Sequence, residues 1–392
     1  MMTDRGGWQM SDELAGLQQV ARDFVQKEIR PVEETLPFDA YKLPPDALAA
    51  ASKKARQAGI WCVASPAKYG GSEMSLLEQV VVAEEASQCR MGAYVPAGGA
   101  FGWDPPNVVY RGTEEQIQKY AVPTITSGGK TFVAISEPSG GSDPARSIQT
   151  TAVRDGDHYV LNGTKVWISA ANYSDWGVVF ARTSPGRNGV SCFIVEKDTP
   201  GLSMKLIPVI RSWYPCELSF EDCRVPAGNL IGDEGRGFAL AQQWLVHGRV
   251  PYAAATLGIA SAALQLAIDY AKNREVFGSK LADKQAIQWM IADSEIEIRA
   301  ARGLVYSAAW KADMGQDFKL EASIAKVSAT ETAGRVVDRC IQVLGGMGVA
   351  KELPLERWYR EMRIKRIGEG PSEVHRMVVA RQLLSRTKGG SR

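Results

Sequence analysis

The sequence contains only three histidines, and His158, His247 and His375 stand too far apart along the chain to form a local metal-binding motif. The six cysteines include no Cys-x-x-Cys pair. Most of them lie in apolar stretches, which favours reduced, buried thiols over a zinc site or a disulfide framework. We therefore expect no protein metal site and predict a cytoplasmic protein.

Neither sign of charge is in excess, and long apolar runs are missing. The 46 Lys and Arg residues nearly balance the 44 Asp and Glu residues, so the net charge of +2 indicates no basic surface for nucleic acid. The first ten residues lack the apolar core of a signal peptide, and no apolar run approaches the ~20 residues of a membrane span. We expect neither nucleic acid nor a membrane as a partner.

Several nucleotide-binding and hydrolase motifs are also absent. The chain has no Gly-x-x-x-x-Gly-Lys-Ser/Thr loop and no Gly-x-Ser-x-Gly sequence. The segment GDEGRG (232–237) does not fit Gly-x-Gly-x-x-Gly and follows no βαβ unit. These absences disfavour a nucleoside triphosphatase, a Rossmann dehydrogenase and a serine hydrolase.

The chain has 392 residues, of which 45% are hydrophobic and 23% charged, which is typical of a soluble globular protein of two or three domains. Residues 1–128 show helical periodicity, residues 129–236 contain short β-branched and aromatic segments, and residues 237–392 contain long helical patterns. We predict an α+β multidomain protein with an N-terminal α-helical domain, a central antiparallel β-barrel or sandwich, and a C-terminal four-helix bundle.

Proline and glycine predict where several of these elements end. Pro31 is expected to end the first helix, and Pro123 with Gly128-Gly129 is expected to break the helical pattern before the β region. Asp155-Gly156 and Asn162-Gly163 are typical of hairpin turns between strands.

Three features could carry chemistry. The segment AISEPSGGSD (134–143) ends a strand in a loop whose backbone N–H groups could face a flat polar ring system. Alternation along the next strand places Trp167 and Ser169 on one face, where they could contact a planar cofactor, although a core tryptophan is the commoner arrangement. Glu369 stands between two glycines before a helix. A carboxylate there can act as a general base or simply accept hydrogen bonds from helix-end amides.

Six segments occur in an order and spacing that resemble the acyl-CoA dehydrogenase family over residues 10–385. They are AISEPSGGSD (134–143), LNGTKVWIS (161–169), ELSFEDCRVP (217–226), YAKNREVFGSKLADKQ (270–285), QVLGGMG (342–348) and IGEGPSEVHRMVVARQLL (367–384). The resemblance implies FAD as cofactor, an acyl-CoA substrate, an electron-transferring flavoprotein as electron acceptor, and a homotetramer built as a dimer of dimers.

The resemblance also implies the residues of the flavin site, which in the family is often shared with a neighbouring subunit. The matching positions are Ile135, Ser136, Ser142, Trp167, Ile168, Ser169, Arg274, Phe277, Gln285, Gln342, Gly345, Gly346, Ser372 and Glu373, together with Glu137 in the segment that lines the flavin and the thioester. From the residues alone, Arg274 is more commonly a solvated arginine at a helix end, and the Gly345-Gly346 pair is ordinarily a helix C-cap.

Glu369 matches the catalytic base of the family. Positions that match its substrate contacts are Ser142, Arg249 and Gly370. The Tyr-Glu-Gly-Thr sequence common in the family reads Gly368-Glu369-Gly370-Pro371 here, so a tyrosine ring beside the base and a threonine hydroxyl are lost. We expect this loss to alter the acyl pocket. A CoA-contacting aspartate of many members is Val246 here.

The resemblance implies that Glu369 removes the α-proton and that a trans-2-enoyl-CoA is formed. Desolvation by the acyl chain should raise the pKa of Glu369, and its backbone N–H should stabilise the enolate.

Acyl-CoA oxidases, nitroalkane oxidases and flavin monooxygenases are alternatives of the same fold, and a catalytically silent binding protein is an alternative of another class. Whether the acyl chain is linear, branched, cyclic or aromatic stays open. Fatty-acid β-oxidation is the expected metabolic setting.

Overall fold

The computed structural model describes residues 10–186, 189–211 and 213–385. By contacts between residues, the chain divides into two compact units. The helical unit comprises the described residues within 1–60, 74–100 and 247–392, and the sheet unit comprises those within 61–73 and 101–246. The three-domain division at residues 128 and 236 follows the order of helices and strands, and it stays a prediction.

Helical segments flank a central sheet, so the predicted fold class is confirmed. The α-helices are α1 (Asp12–Phe24), α2 (Arg30–Glu34), α3 (Pro45–Gln57), α4 (Leu76–Ala86), α5 (Glu114–Gln116), α6 (Val122–Ser127), α7 (Pro144–Ser147), α8 (Gly237–Asn273), α9 (Gln285–Asp313), α10 (Lys319–Leu344), α11 (Gly346–Val349), α12 (Leu355–Lys365) and α13 (Ser372–Ser385). The strands are β1 (Lys130–Ala134), β2 (Thr151–Asp155), β3 (His158–Ile168), β4 (Ser174–Arg182), β5 (Val190–Glu196), β6 (Leu202–Leu206), β7 (Cys216–Pro226), β8 (Leu230–Ile231), β9 (Glu275–Val276) and β10 (Ser279–Lys280).

The two early prolines do not end their helices, contrary to the prediction. Pro31 lies in the first turn of α2 and Pro123 in the first turn of α6. Each follows a π-helical turn, Val25–Ile29 or Ile117–Ala121, that continues the preceding helix. Because proline has no N–H to donate, the wider π turn lets the chain continue past it. The break falls at Gly128, which caps α6 with φ +71°.

The core of the helical unit is formed mainly by α8, α10 and α12. Many of its buried residues are alanines, such as Ala260, Ala263 and Ala333, which let helix backbones approach closely. At Gly258 on α8, a Cβ atom would lie 1.9 Å from the carbonyl oxygen of Glu84 on α4. Glycine therefore permits this contact between α8 and α4. Charged residues dominate α12, so this helix is not predicted from the sequence.

Helix α8 is long and apolar enough to cross a membrane by length and composition, with a hydropathy of 1.4 over the qualifying window. The prediction that no apolar run reaches this length is therefore wrong for α8. However, 67% of that window is buried inside the protein. The core helix of a soluble protein passes the same test, so the feature is weak evidence for a membrane.

All six cysteines are free and buried, as predicted. Burial raises the pKa of Cys223 to about 11 and the pKa of Cys340 to about 12. The thiolate is the reactive form of cysteine, and a raised pKa leaves little of it at neutral pH. These thiols are therefore unreactive in the folded chain.

The sheet unit contains an eight-stranded sheet with the order β6-β7-β3-β2-β4-β5-β8, and β1 pairs with β4 outside this path. Most strand pairs are antiparallel, as predicted, but β1 and β2 each pair with β4 in parallel. Phe132, Tyr159, Phe193 and Leu218 belong to the buried core that packs against this sheet.

Asn162 and Gly163 lie inside β3 and not in a hairpin turn, contrary to the prediction. The pairing register of β3 with β7 shifts between Leu161 and Gly163, which marks a β-bulge. Gly163 has φ +147°, and a Cβ atom there would lie 2.6 Å from Oγ1 of Thr150. Glycine at position 163 thus allows β3 to approach Thr150 closely. The other predicted turn, Asp155-Gly156, does join β2 to β3.

Candidate active site

Glu369 lies in the short loop between α12 and α13 and has a left-handed backbone conformation, with φ +58°. Residues other than glycine seldom adopt it, and such strain is frequent at functional sites. The residue as a whole is half-buried, but its carboxylate oxygen Oε2 is fully buried. Among the described residues, neither this oxygen nor the backbone N–H of Glu369 has a hydrogen-bond partner. The loop therefore carries a free acceptor and a free donor on one residue.

Three helices hold the backbone of this loop. Arg249 Nε on α8 donates to the carbonyl oxygen of Glu369 at 3.0 Å, and His375 Nε2 on α13 lies 3.1 Å from the same oxygen. Lys326 Nζ on α10 donates to the carbonyl oxygen of Gly370 at 2.7 Å. These contacts fix the strained conformation, and the sequence analysis singles out only Arg249 among the three side chains.

The electrostatics of the loop favour a basic carboxylate. Burial raises the pKa of Glu369, and the charges of Arg249, Lys365 and Lys326 oppose that rise without cancelling it. The pKa of Glu369 is thus raised by the protein alone, in the direction expected for a bound acyl chain. Burial also lowers the pKa of Lys326 to about 8. Burial and the charge of Arg249 lower the pKa of His375 to about 4, so His375 is neutral at pH 7.

Tyr252 lies beside this loop and is not among the residues predicted from the sequence. A Cβ atom at Gly368 would lie 2.8 Å from the hydroxyl oxygen of Tyr252, and that hydroxyl donates to the carbonyl oxygen of Lys365 at 3.3 Å. Tyr252 therefore occupies space next to the position where the Tyr-Glu-Gly-Thr sequence has its tyrosine. Its spacing of three residues from Arg249 on α8, which puts both on one helix face, is the signal that could have found it.

Six residues of the helical unit that the resemblance assigns to the flavin are exposed: Arg274, Phe277, Gln285, Gln342, Gly345 and Gly346. Phe277 is 98% exposed and has φ +48° at the tip of the β9–β10 hairpin. An aromatic side chain this exposed, in a strained conformation, is typical of a surface that another molecule covers. Of the two remaining assigned residues, Ser372 is buried and Glu373 is exposed.

In the sheet unit, Trp167 and Ser169 are both exposed, whereas Ile168 between them belongs to the core. Ser169 follows the last residue of β3 and Trp167 has a positive φ, so the placement of both side chains on one strand face stays a prediction. Trp167 is 59% exposed with φ +64°, so the alternative of a core tryptophan is wrong. Because the Ile168 side chain is buried in the core, it is not available for contact with a ligand. Ser169 Oγ accepts a hydrogen bond from Arg211 Nη2 at 3.1 Å, a contact that the sequence analysis misses.

The loop after β1 is built on a buried ion pair. Glu137 accepts hydrogen bonds from Lys165 Nζ at 2.7 Å and from the backbone N–H groups of Gln149 and Thr150 at 2.6 and 3.0 Å. Burial lowers the pKa of Lys165 to about 8, against the opposing charge of Glu137. The Glu137 carboxylate is thus fully engaged inside the protein, and the assignment of its segment to the flavin and the thioester stays a prediction.

The remaining assigned residues of this loop are accessible. Ser142 is exposed, and Ile135 and Ser136 are half-buried. A Cβ atom at Gly141 would lie 3.1 Å from Ser136 Oγ, so glycine lets the loop fold close to this hydroxyl.

These side chains are chemically suited to FAD. The exposed indole of Trp167 offers an apolar face for a planar ring, and the hydroxyls of Ser136, Ser142 and Ser169 offer hydrogen bonds to ring heteroatoms. The exposed guanidinium of Arg274 is suited to a phosphate. Within residues 10–186, 189–211 and 213–385, no three His, Cys, Asp or Glu side chains are grouped so that they could hold a metal ion.

Comparison with protein families gives three matches in chain order. The acyl-CoA dehydrogenase N-terminal domain matches residues 11–128, the middle domain matches residues 133–223, and the C-terminal domain matches residues 235–384.

Individual relatives match over nearly the whole chain. The mitochondrial short-chain specific acyl-CoA dehydrogenase of Bos taurus is 40% identical over 378 residues, covering 94% of this chain and 89% of the relative. Acryloyl-CoA reductase (NADH) of Anaerotignum propionicum is 38% identical over 392 residues, covering 97% of each chain. A chain from the structure of the electron transferring flavoprotein of Acidaminococcus fermentans superimposes with a TM-score of 0.86 at 34% identity, covering 97% of this chain and 100% of that one.

Proposed function

The chain belongs to the acyl-CoA dehydrogenase family, whose members depend on FAD, and we propose that Glu369 removes the α-proton of its acyl-CoA substrate to give a trans-2-enoyl-CoA. The carboxylate of Glu369 is the observation that carries this proposal. Its Oε2 atom is buried without a hydrogen-bond partner among the described residues. An unsatisfied buried polar group costs about 1–3 kcal/mol, and such groups are rare unless they serve a function.

Each group of the loop has a task in this reaction. Glu369 accepts the α-proton on its carboxylate, and its raised pKa brings the base closer to the working pH. Its backbone N–H donates to the thioester carbonyl oxygen, where negative charge develops. When bound, FAD supplies the acceptor for the hydride of the β-carbon. Arg249, His375 and Lys326 keep both groups of Glu369 in place, which gives Arg249 a role beyond the substrate contact expected from the resemblance.

We also propose a homotetramer arranged as a dimer of dimers. Besides its buried face, α9 carries a row of exposed large apolar residues, which are Trp289, Ile296, Leu304 and Trp310. Their spacings are close to two helical turns, so they share one side of the helix. A second copy of the chain would remove this surface from water. Light scattering that gives the mass of a single chain for the FAD-loaded protein would contradict the proposal.

We propose an electron-transferring flavoprotein as the electron acceptor of this reaction. An electron-transferring flavoprotein is supported by the similarity to a chain in such a structure. The similarity to acryloyl-CoA reductase favours a second direction, in which Glu369 returns a proton to the α-carbon of an enoyl-CoA and reduced FAD would supply the hydride for the β-carbon. The cytoplasmic location and a place in fatty-acid β-oxidation stay proposals. The sequence leaves the acyl chain open between linear and branched, cyclic or aromatic groups.

The decisive experiment is an anaerobic titration of the FAD-loaded protein with linear, branched, cyclic and aromatic acyl-CoAs, followed by the flavin absorbance. We expect at least one thioester to bleach the flavin of the wild type and none to bleach Glu369→Gln. Glu352→Gln, which changes an exposed carboxylate of the same unit, is the matched control and should behave as the wild type.

The outcomes separate the alternatives. Bleaching that survives in Glu369→Gln would remove Glu369 as the base. A yellow wild-type protein that no acyl-CoA reduces would contradict the proposed reaction and point to another substrate of the same fold. Rapid reoxidation of the reduced protein by air would favour an oxidase over transfer to an electron-transferring flavoprotein.

A further inference from the structure

Lys365 is a buried cation that the reaction described above does not use. It is the last residue of α12, four residues before Glu369, and it is only 3% exposed. Its Nζ atom donates to the carbonyl oxygen of Ala93 at 3.2 Å. The same atom lies 3.8 Å from the ring centroid of Tyr252 and 4.3 Å from that of Tyr94. Lys365 therefore lies in a cage formed by two aromatic rings and a carbonyl group.

This cage selects the charged form of the amine. An ammonium within about 6 Å of an aromatic face is attracted by the ring quadrupole, and the attraction grows where water is excluded. A carbonyl oxygen also stabilises a donor that carries positive charge. Since Lys365 comes from α12, Tyr252 from α8 and Tyr94 from the segment after α4, the position of the ammonium is fixed by three separate parts of the chain.

Other charged or titratable groups also act on Glu369. Arg249 on α8 and Lys326 on α10 bind carbonyl groups of the loop, and His375 on α13 is neutral at pH 7. The pKa of Lys326 is lowered to about 8, so its charge is lost progressively above that pH. The acidic residues that act on Lys326 besides Glu369 are Glu331 and Glu373.

We propose that Lys365 is a positioning residue for Glu369, whose caged ammonium keeps the carboxylate anionic when an acyl chain excludes water from the site. The inference rests on the proposed function, because it concerns the base of that reaction. Desolvation by a bound acyl chain favours the protonated, inactive acid. A fixed positive charge nearby opposes this effect without contacting the substrate, so the base remains usable below neutral pH.

The test compares Lys365→Met and Lys365→Arg with the wild type in the pH profile of kcat, which reports the ionisation of Glu369 in the enzyme–substrate complex. Methionine keeps an unbranched side chain, one atom shorter and without charge, and arginine keeps the charge. We expect Lys365→Met to move the acidic limb to higher pH by on the order of one unit. At pH values below the limb this shift is a tenfold loss of activity, and the loss should disappear at high pH. Lys365→Arg should restore most of the wild-type profile, and Lys351→Met, at an exposed lysine, should leave it unchanged.

Two results would overturn the inference. One is a Lys365→Met profile that is lowered equally at all pH values, and the other is an arginine variant that shifts the limb as methionine does. A second measurement does not need turnover. The carboxyl band of Glu369 is identified by its absence in the infrared spectrum of Glu369→Gln and is then titrated with pH. This band should titrate at higher pH in Lys365→Met than in the wild type. If no acyl-CoA is oxidised, the proposed function fails, while the infrared titration still decides the role of Lys365.

Discussion

Acidification should destabilise the helical unit through His375. This side chain is fully buried, and its Nδ1 atom has no hydrogen-bond partner among the described residues. Its pKa is lowered from 6.5 to about 4 by burial and, secondly, by the charge of Arg249. Between these pH values the unfolded chain binds a proton that the folded chain does not, so the free energy of unfolding falls as the pH falls. The difference of about 2.5 pKa units corresponds to roughly 3 kcal/mol once pH 4 is reached.

The comparison of wild type with His375→Gln isolates this effect, because glutamine keeps an N–H donor near Glu369 and takes up no proton. In urea unfolding followed by circular dichroism, we expect the wild type to lose roughly 2 kcal/mol more than the variant between pH 7 and pH 5. His247→Gln, at an exposed histidine, should retain the wild-type pH dependence. Equal pH dependence in wild type and His375→Gln would refute the reasoning. Nuclear magnetic resonance provides a direct check, since only three histidines need assignment.

Three further predictions follow from other contacts. Gly368→Ala brings a Cβ atom to 2.8 Å from the Tyr252 hydroxyl, so we expect about a tenfold loss of kcat/KM, within the range for overpacking. Partial recovery in the double variant with Tyr252→Phe would identify the clash, and no recovery would contradict it. Lys165→Met leaves the Glu137 carboxylate buried without its partner, so thermal unfolding should show a loss of about 3–5 kcal/mol that Glu137→Gln in the same chain largely reverses. Phe277→Ser should leave the circular dichroism spectrum unchanged but weaken retention of FAD in equilibrium dialysis, and unchanged retention would count against the assigned role of Phe277.

The parts of the fold that could be predicted from sequence are those that local patterns determine. Residues 237–392, which are predicted to contain long helices, include α8, α9 and α10 with 37, 29 and 26 residues. The predictions are wrong where a residue pattern that is typical of one local structure is accommodated in another by its surroundings. Asn162-Gly163 has the composition of a turn, but it forms a bulge because β7 pairs with β3 on both sides of it. Pro31 is a helix breaker by propensity, yet a π turn accommodates it.

The residues of the candidate site, too, could be predicted only where the sequence around them carries a recognisable pattern. Glu369 was found because the sequence around it resembles a known family, and its burial agrees with the expected rise of its pKa. Lys326 could not be found in this way, because it reaches the loop from α10 and no sequence pattern relates it to Glu369. The ion pair of Glu137 with Lys165 could not be predicted either, because the two residues lie 28 positions apart in the sequence.

The six shielded thiols give this chain a built-in reporter of conformational opening. Cys89 and Cys340 belong to the helical unit, and Cys62, Cys192, Cys216 and Cys223 belong to the sheet unit. A short pulse of an alkylating reagent should therefore mark only molecules that have opened, and mass spectrometry of the peptides should reveal which unit opened. Without any engineered label, the same experiment can follow how FAD, an acyl-CoA or a single substitution changes the order in which the two units lose structure.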